Sequence, residues 1–572
     1  MLNTLPGRRV GILIALVVTM APAGLASAQE SDEAIASFVA SVARQDGDTQ
    51  ILELSLNETV ELVLRHNLQV RIAALNPDLA AENIRSARAQ FDPTFTFNIP
   101  QSLNRSTQPQ SSVLGGADVL TNETIAGGFQ FNSNTTWGLG WSVGATVQRQ
   151  VSNSQFSTFN PQWNTSLTIG VRQALLRNRG DANQRQLLVA QNDHLVSTEQ
   201  FRAQLQNTIF QVIQAYWTLV QQTRALQIQR ESLALAVQQH RDNTTRVRVG
   251  TLQEVATLQT EQQVANAELN VLQAELALDN QQDLMRSLLN LDAVVDLGWS
   301  VEIVPTDEPA ADAPQINIER EVAEALENNP TIRQNRLNLT SRQIDLNASK
   351  NGLLPQLDFI ANGTLSGLGG DQIFRAGNVF GNSGVAEIQT GGVQDAFQQL
   401  FSGDFRNWSV GLQLIVPVRN DFAEAQHAQA TIRERQAQTQ VESDMVQVRL
   451  GVQNAARSVT GGAEQVATAG NAVLLAERQY NAEVRRFEEG VSSTFQVLNF
   501  QGQLTFARQR ELNALINLNL ALANLALSKG TLLDSYGVDV DDAGVGGPRM
   551  RATNAAPAQA AVPADSASGP GQ

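Results

Sequence analysis

"ARAQFDPTFTF", residues 87–97, changes its rhythm at a proline. Before Asp92 the chain is rich in Ala, Arg and Gln at helical spacing. After Pro93 the apolar residues fall on every second position, at Phe95, Phe97 and Ile99. A period of about 3.6 gives way to a period of 2, so a helix runs straight into a strand. Proline suits the junction because it lacks the N–H that the helical ladder needs and biases its predecessor away from helix.

The junction occurs twice. "LRHNLQVRIAALNPDLAAENIRSARAQFDPTFTF" (64–97) has a partner in "LENNPTIRQNRLNLTSRQIDLNASKNGLLPQLDF" (326–359), which aligns Asn67 with Asn329, Pro93 with Pro355 and Phe97 with Phe359. Strand-like alternation recurs from Trp163 and from Trp408, and "RVRVGTLQEVATL" pairs with "RRFEEGVSSTFQVL", placing Gly250 opposite Gly490. Landmarks repeated in the same order imply one duplicated unit. The spacing predicts helix 57–90, strand 93–103, strand 163–173 and helices 181–249 and 252–290. In the second half the same elements fall at 320–352, 355–366, 406–418, 423–489 and 492–530. The expected divisions are a first repeat over 29–300 with an inserted loop at about 104–162, a linker over 301–319, a second repeat over 320–533, and a low-complexity, disordered tail over 534–572. The linker contains "PTDEPAADAP" (305–314).

Helix 181–249 would span roughly 100 Å at 1.5 Å per residue. The two shorter helices of each half, end to end, match the long one. Leu205, Ile209, Val212, Tyr216, Leu219, Leu226, Leu233 and Val237 follow alternating steps of four and three, interrupted at Thr223 and Arg230, the seam of a coiled coil. Such rods form a tube or spine rather than a globule.

Two clear strands per half give four per chain, too few to close around a lumen. Three chains would supply twelve, within the range where membrane barrels close. A helix continuing into a strand would let a helical tube extend such a barrel. "WGLGWSVGATVQRQ" (137–150) is a further strand-like run within the insert, either an extra hairpin outside the membrane or an entrant to the barrel that would change this count.

The bulk numbers agree with an exported protein. The net charge is −16. Residues 1–28 resemble a signal peptide: Arg8-Arg9, an apolar run from Val10 to Leu25, then Ala26-Ser27-Ala28. Its removal near Ala28 would leave −16 − 2 = −18. This acidity argues against a nucleic-acid partner. The chain has no cysteine, which excludes disulfides, thiolate metal sites and a cysteine nucleophile. The histidines His66, His194, His240 and His427 are isolated, so no metal or other cofactor is expected. Gly140-Trp141-Ser142-Val143-Gly144 matches the nucleophile elbow of serine hydrolases, but alternation continues through Val147 and puts Ser142 inside a strand. No enzyme signature survives.

With these residues in hand, the sequence resembles the TolC family of bacterial outer-membrane efflux proteins. The carriers are "LSLNETVELVLRHN" (54–67), the strands after Pro93 and Pro355, Tyr216-Trp217, and the two RxxxG turns at Arg246–Gly250 and Arg486–Gly490. The resemblance implies an α+β membrane channel: a trimer with a twelve-stranded transmembrane β-barrel in the outer membrane of a Gram-negative bacterium, four strands per chain, continued by a periplasmic α-helical barrel. It implies a passive export duct whose tip turns, at Gly250 and Gly490, dock a periplasmic adaptor and thereby serve an inner-membrane transporter. Phe487 and Ser492 match positions that hold the tip closed. Where the family often places acidic pore residues this chain has Ala256, Gln496 and Asn499, and Gln173-Ala174-Leu175 replaces a common Gln-Pro-Leu, while Pro417 keeps that proline in the second half. The rivals are a secreted or periplasmic coiled-coil scaffold and a serine hydrolase built on Ser142.

Overall fold

The computed structural model describes residues 43–46, 49–109, 119–154, 156–290, 301–376, 384–539 and 549–550. The expected signal peptide lies outside them. They fall into two compact units, the first within Met1–Leu68, Ile209–Ala313 and Gly461–Leu520, the second within Gln69–Thr208, Pro314–Thr460 and Ala521–Gln572. Among the described residues no helix is long and apolar enough to cross a membrane.

The elements in chain order begin with β1 (Ala43–Asp46), β2 (Thr49–Leu54), α1 (Leu56–His66), α2 (Leu68–Ala89), β3 (Thr94–Pro109), β4 (Val119–Asn134), β5 (Leu139–Ser152) and β6 (Phe159–Ala174). Next come α3 (Arg185–Arg248), α4 (Val255–Leu289), β7 (Val301–Pro305), α5 (Ile318–Asn328), α6 (Pro330–Gly352), β8 (Gln356–Arg375) and β9 (Val385–Gln389). The chain continues through α7 (Val393–Ser402), β10 (Arg406–Ile415), α8 (Asp421–Glu488) and α9 (Thr494–Lys529), and ends with α10 (Leu532–Ser535), β11 (Val538–Asp539) and β12 (Arg549–Met550). The long helices α3 and α8 hold 64 and 68 residues. On α3 the seam residues Leu205, Ile209, Val212, Tyr216, Leu219 and Leu226 are buried, whereas Leu233 and Val237 are half-buried.

Four expectations need correction. The first helix of each half is broken, at Asn67 (φ −64°, ψ 123°) and at Asn329 (φ −64°, ψ 122°). The Asn67 amide donates to the Leu288 carbonyl (2.9 Å) and the Asn329 amide to the Ser528 carbonyl (3.1 Å). Each break is thus compensated by a bond to the last turn of the half's returning helix, satisfying a carbonyl left open at a helix end.

Next, the joining segment is not a loose linker. It begins with β7, which pairs in parallel with β2, itself paired with β1. Leu52, Leu54 and Ile303 bury their side chains at this sheet. Beyond it, Asn519 exchanges two hydrogen bonds with the backbone of Ala310 (3.0 and 3.2 Å). The single proton of the Tyr216 hydroxyl is shared between Asp307 Oδ2 (2.8 Å) and the Leu54 carbonyl (3.1 Å), and its oxygen accepts from the Asp307 N–H (3.2 Å).

Third, the insert at 104–162 is not a loop: it holds the end of β3, all of β4 and β5, and the start of β6. The large antiparallel sheet runs in the order β10-β8-β6-β5-β4-β3, with the short β9 on β8. The second half supplies β8 and β10 as two long strands, and the first half supplies four. Last, within 534–572 the end of α10 and the β11–β12 pair are structured; residues 540–548 and 551–572 lie outside the description.

Candidate functional site

The two RxxxG turns, both in the first unit, close in the same way. Thr251 N–H reaches the Arg246 carbonyl (2.9 Å) and Gly250 N–H that of Val247 (2.9 Å); Val491 and Gly490 reach Arg486 (2.9 Å) and Phe487 (3.1 Å). This double bond closes a helix around a left-handed glycine, and Gly250 and Gly490 sit at φ 81° and 80°.

The turns are brought together through side chains. The Arg246 guanidinium lies over the Phe487 ring, 4.8 Å from its centroid, and Phe487 is buried. Asn243, fully buried, donates to Thr494 Oγ1 (3.2 Å) at the start of α9. Glu483 is buried too. Its carboxylate takes the Arg486 guanidinium on one oxygen (3.1 Å) and the Ser492 hydroxyl on the other. A buried carboxylate is tolerable only with such charge and hydrogen-bond compensation.

Gln496 and Asn499 do not enter this cluster; both are exposed on α9, and Asn499 Oδ1 accepts from Gln503 (3.5 Å). Val249, Val491, Val255 and Phe495 leave apolar surface exposed around the turns. Asn243, Glu483 and Thr494 were missed in the sequence. Asn243 and Glu483 each stand seven residues before a tip glycine, so aligning the repeats would have paired them; nothing in one sequence marked them as buried. His240, on the same helix, contacts Thr260 Oγ1 through Nδ1 (3.0 Å) rather than another ligand-type side chain.

The second unit holds the large sheet and the three prolines. Pro355 immediately precedes β8, Pro93 precedes β3, and Pro417 follows β10 before α8 begins. On β10, Trp408, Val410, Leu412 and Leu414 alternate with Asn407, Ser409, Gly411 and Gln413, and every residue of the strand is exposed. Trp408 is 78% and Leu412 67% exposed. The register extends this face: Val410 pairs with Ala361 and Leu412 with Phe359, and Ala361 and Leu365 on β8 pair with Val171 and Leu167 on β6. The opposite face pairs Thr364 with Thr168 and Ser366 with Ser166. At the helix-side end of that face, Arg172 donates through Nε and Nη2 to the buried Asp358 carboxylate (2.9 and 2.6 Å).

Helix α7 packs over the far end of the apolar face, where a Cβ on Gly367 would meet the Ala396 carbonyl oxygen at 1.9 Å. Only glycine admits that approach. Ser142 lies inside β5, paired with Asn132 and Gly170, with no strand-to-helix elbow.

Residues 322–531 match the model of the family described as Outer membrane efflux protein. A comparison with curated protein sequences finds no match. Among solved structures, a membrane protein from Pseudomonas aeruginosa superposes with a TM-score of 0.60 at 16% identity, covering 83% of this chain and 93% of its own. The outer membrane protein VceC of Vibrio cholerae gives 0.57 at 13% identity, covering 83% and 96%. The open state of the Neisseria gonorrhoeae MtrE outer membrane channel gives 0.55 at 15% identity, covering 83% and 89%. At these identities the likeness is one of fold. Over 322–531 the chain thus matches the outer membrane efflux protein family, and its fold is that of these outer-membrane channels.

Proposed function

We propose that this protein is a passive, homotrimeric export duct of the bacterial outer membrane, reached after cleavage of a signal peptide near Ala28. The observation that carries the reading is the large sheet. One of its faces is apolar and, short of the far end that α7 covers, open at residues such as Trp408, Leu412, Ile169 and Phe95; the other is polar, and among the described residues each outer strand, β3 and β10, pairs with one neighbour. A soluble sheet buries its apolar face or covers its edges. A membrane barrel does neither within one chain: lipid covers the face, and other copies close the edges. A coiled-coil scaffold leaves both features without a purpose.

The Gly250 and Gly490 turns, with Arg246 and Arg486, are the proposed docking surface for a periplasmic adaptor coupled to an inner-membrane transporter. The exposed Val249, Val491, Val255 and Phe495 support this, as apolar groups around a solvent-facing turn suit a partner surface. The proposed constriction involves Phe487, Ser492, Gln496 and Asn499, none of which carries a charge.

The test is the mass of the protein extracted from purified outer membranes, by light scattering corrected for detergent. Three chains are expected. A monomer, or absence from that membrane, would overturn the reading and favour the scaffold.

A further inference from the structure

We propose that the β4–β5 hairpin is part of the membrane-spanning wall, so that each chain contributes six strands to the barrel rather than four. The inference rests on the channel reading above and concerns the width of its duct.

Pairing comes first. A hairpin lying outside the membrane would leave β3 and β6 to pair with each other across the wall. Instead β3 pairs with β4 from Thr94↔Asn132 to Pro109↔Val119, and β6 pairs with β5 from Gln173↔Leu139 to Gln162↔Gln150. β4 and β5 pair from Asn122↔Ser152 to Asn134↔Gly140. The hairpin therefore stands between β3 and β6 along nearly their whole length.

Height comes second. The β4–β5 turn lies at the helix-side end of the sheet. Asn183, just ahead of α3, donates to the carbonyls of Thr135 (2.9 Å) and Thr136 (3.0 Å), and Ser133 Oγ reaches the Phe91 carbonyl (3.4 Å). From that turn the strands run 16 and 14 residues to the far end, more than the roughly 9–11 needed to cross a bilayer.

The third observation is the face. The register places Phe131 and Val143 beside Phe95 and Ile169, and Phe129 and Ala145 beside Phe97 and Leu167. The Phe131 and Trp141 rings stack with centroids 5.3 Å apart, and Phe95 and Phe131 lie 6.5 Å apart, so these side chains share one face. The other face of the hairpin carries Gln130, Asn132, Ser142 and Thr146, the last bonded to Ser166 across the strands (2.6 Å). The apolar face of β6, β8 and β10 thus continues across β5, β4 and β3. Its charges appear at the far end, where Arg105 pairs with Glu123 (3.4 Å) and Arg149 lies over the Trp163 ring at 5.9 Å. Charge and tryptophan at the limit of an apolar band suit a headgroup boundary. Glu123 and Arg149 belong to the hairpin, so the hairpin shares the boundary of its neighbours.

Closure is consistent with this. Successive strands from β3 to β10 are all antiparallel, so with six strands β3 and β10 run in opposite senses. The β10 edge of one copy can then pair antiparallel with the β3 edge of the next. Three chains of six strands give 3 × 6 = 18, an even number, and barrel diameter grows roughly linearly with strand number.

The absence of native cysteine makes the test direct. Single variants Phe129→Cys, Gln130→Cys, Val143→Cys and Ser142→Cys probe the hairpin, and Ile169→Cys, Thr168→Cys, Leu412→Cys and Gln413→Cys serve as references. Each full chain is spin-labelled and reconstituted in phospholipid vesicles, and collision with oxygen is compared with collision with a water-soluble nickel chelate. Ala145→Cys, a small change on the same face, stands in should either large-residue variant fail to assemble. The expected result is a several-fold higher oxygen-to-nickel ratio at 129 and 143 than at 130 and 142, matching 169 and 412 against 168 and 413. Reference positions that alternate while all hairpin positions are open to nickel would overturn the six-strand wall and leave the channel reading intact. References that show no lipid-exposed face would overturn the channel reading, and this inference with it.

Discussion

At single residues the backbone discriminates between glycines that look alike in sequence. Gly490 and Gly530 both sit at φ 80°. At Gly490 nothing lies within 4 Å of an added Cβ, whereas at Gly530 the Asn328 carbonyl oxygen would be at 2.8 Å and Asn329 Cα at 2.9 Å. Gly490→Val should therefore cost about 1–2 kcal/mol from left-handed strain alone, and Gly490→Asn much less. Gly530→Ala should cost more than Gly490→Ala, because backbone must move as well; urea midpoints of the four variants check the order. Tyr216 gives a second prediction. Burial pushes its phenol well above the ordinary value of 10, with the Asp307 carboxylate adding to the shift. The folded state thus keeps a proton that the unfolded chain gives up near pH 10, so its contribution to stability is full below that pH and fades above it. Unfolding midpoints should fall as pH rises from 9 to 11, and Tyr216→Phe should flatten the slope while lowering stability at neutral pH. Tyr480, raised by burial, shifts the same way. So does Lys529, which burial pushes down but Glu321 and Glu324 raise further, so some slope remains in the variant.

At the scale of elements, what the sequence disclosed depended on how each element earns its stability. Pro93 and Pro355 mark their junctions by covalent constraint, visible in any context. Asn67 and Asn329 stand out as repeat landmarks, yet the breaks they make are stabilised by carbonyls of Leu288 and Ser528 far along the chain, so the helices read as continuous. Strand β4 shows the same limit. "VLTNETIAGGFQFNSN" alternates weakly because the column of Ile125, Phe129 and Phe131 also holds Thr121, Glu123, Gly127 and Ser133, while the other column holds Leu120 and Ala126. The joining segment looks like a linker by its Pro and Asp content, but Asn519 and Tyr216 fix it from outside. In the tip, the glycines and arginines were legible and the buried Asn243 and Glu483 were not, since burial belongs to the fold. The two-faced sheet yields a further prediction. Leu412→Lys, on the apolar face of β10, should destabilise the assembled protein by up to about 2–4 kcal/mol, and the adjacent Gln413→Lys by far less. Assembly yield and urea resistance of the two variants in lipid vesicles would show it; equal effects would mean that β10 does not face lipid.

For the whole molecule the decisive quantity is what one chain leaves unsatisfied. Among the described residues β3 and β10 each leave one edge without a partner strand, with backbone donors and acceptors along it except the missing N–H groups of Pro100 and Pro109 on β3. If the sheet spans a bilayer as proposed, such groups cannot be left without partners, and much of its stability would then come from neighbouring copies. When association and folding are linked in this way, stability depends on protein concentration by mass action. The unfolding midpoint in detergent should therefore rise with chain concentration, and the oligomer should be lost in the same transition as the β-sheet signal. A self-contained coiled-coil scaffold would unfold at a midpoint independent of concentration, its helices melting without reference to any other chain. The helices supply the internal control. α3 buries its seam from Leu205 to Leu226 within one chain, so helical signal that survives dissociation, together with loss of sheet, would place the inter-chain dependence in the strands.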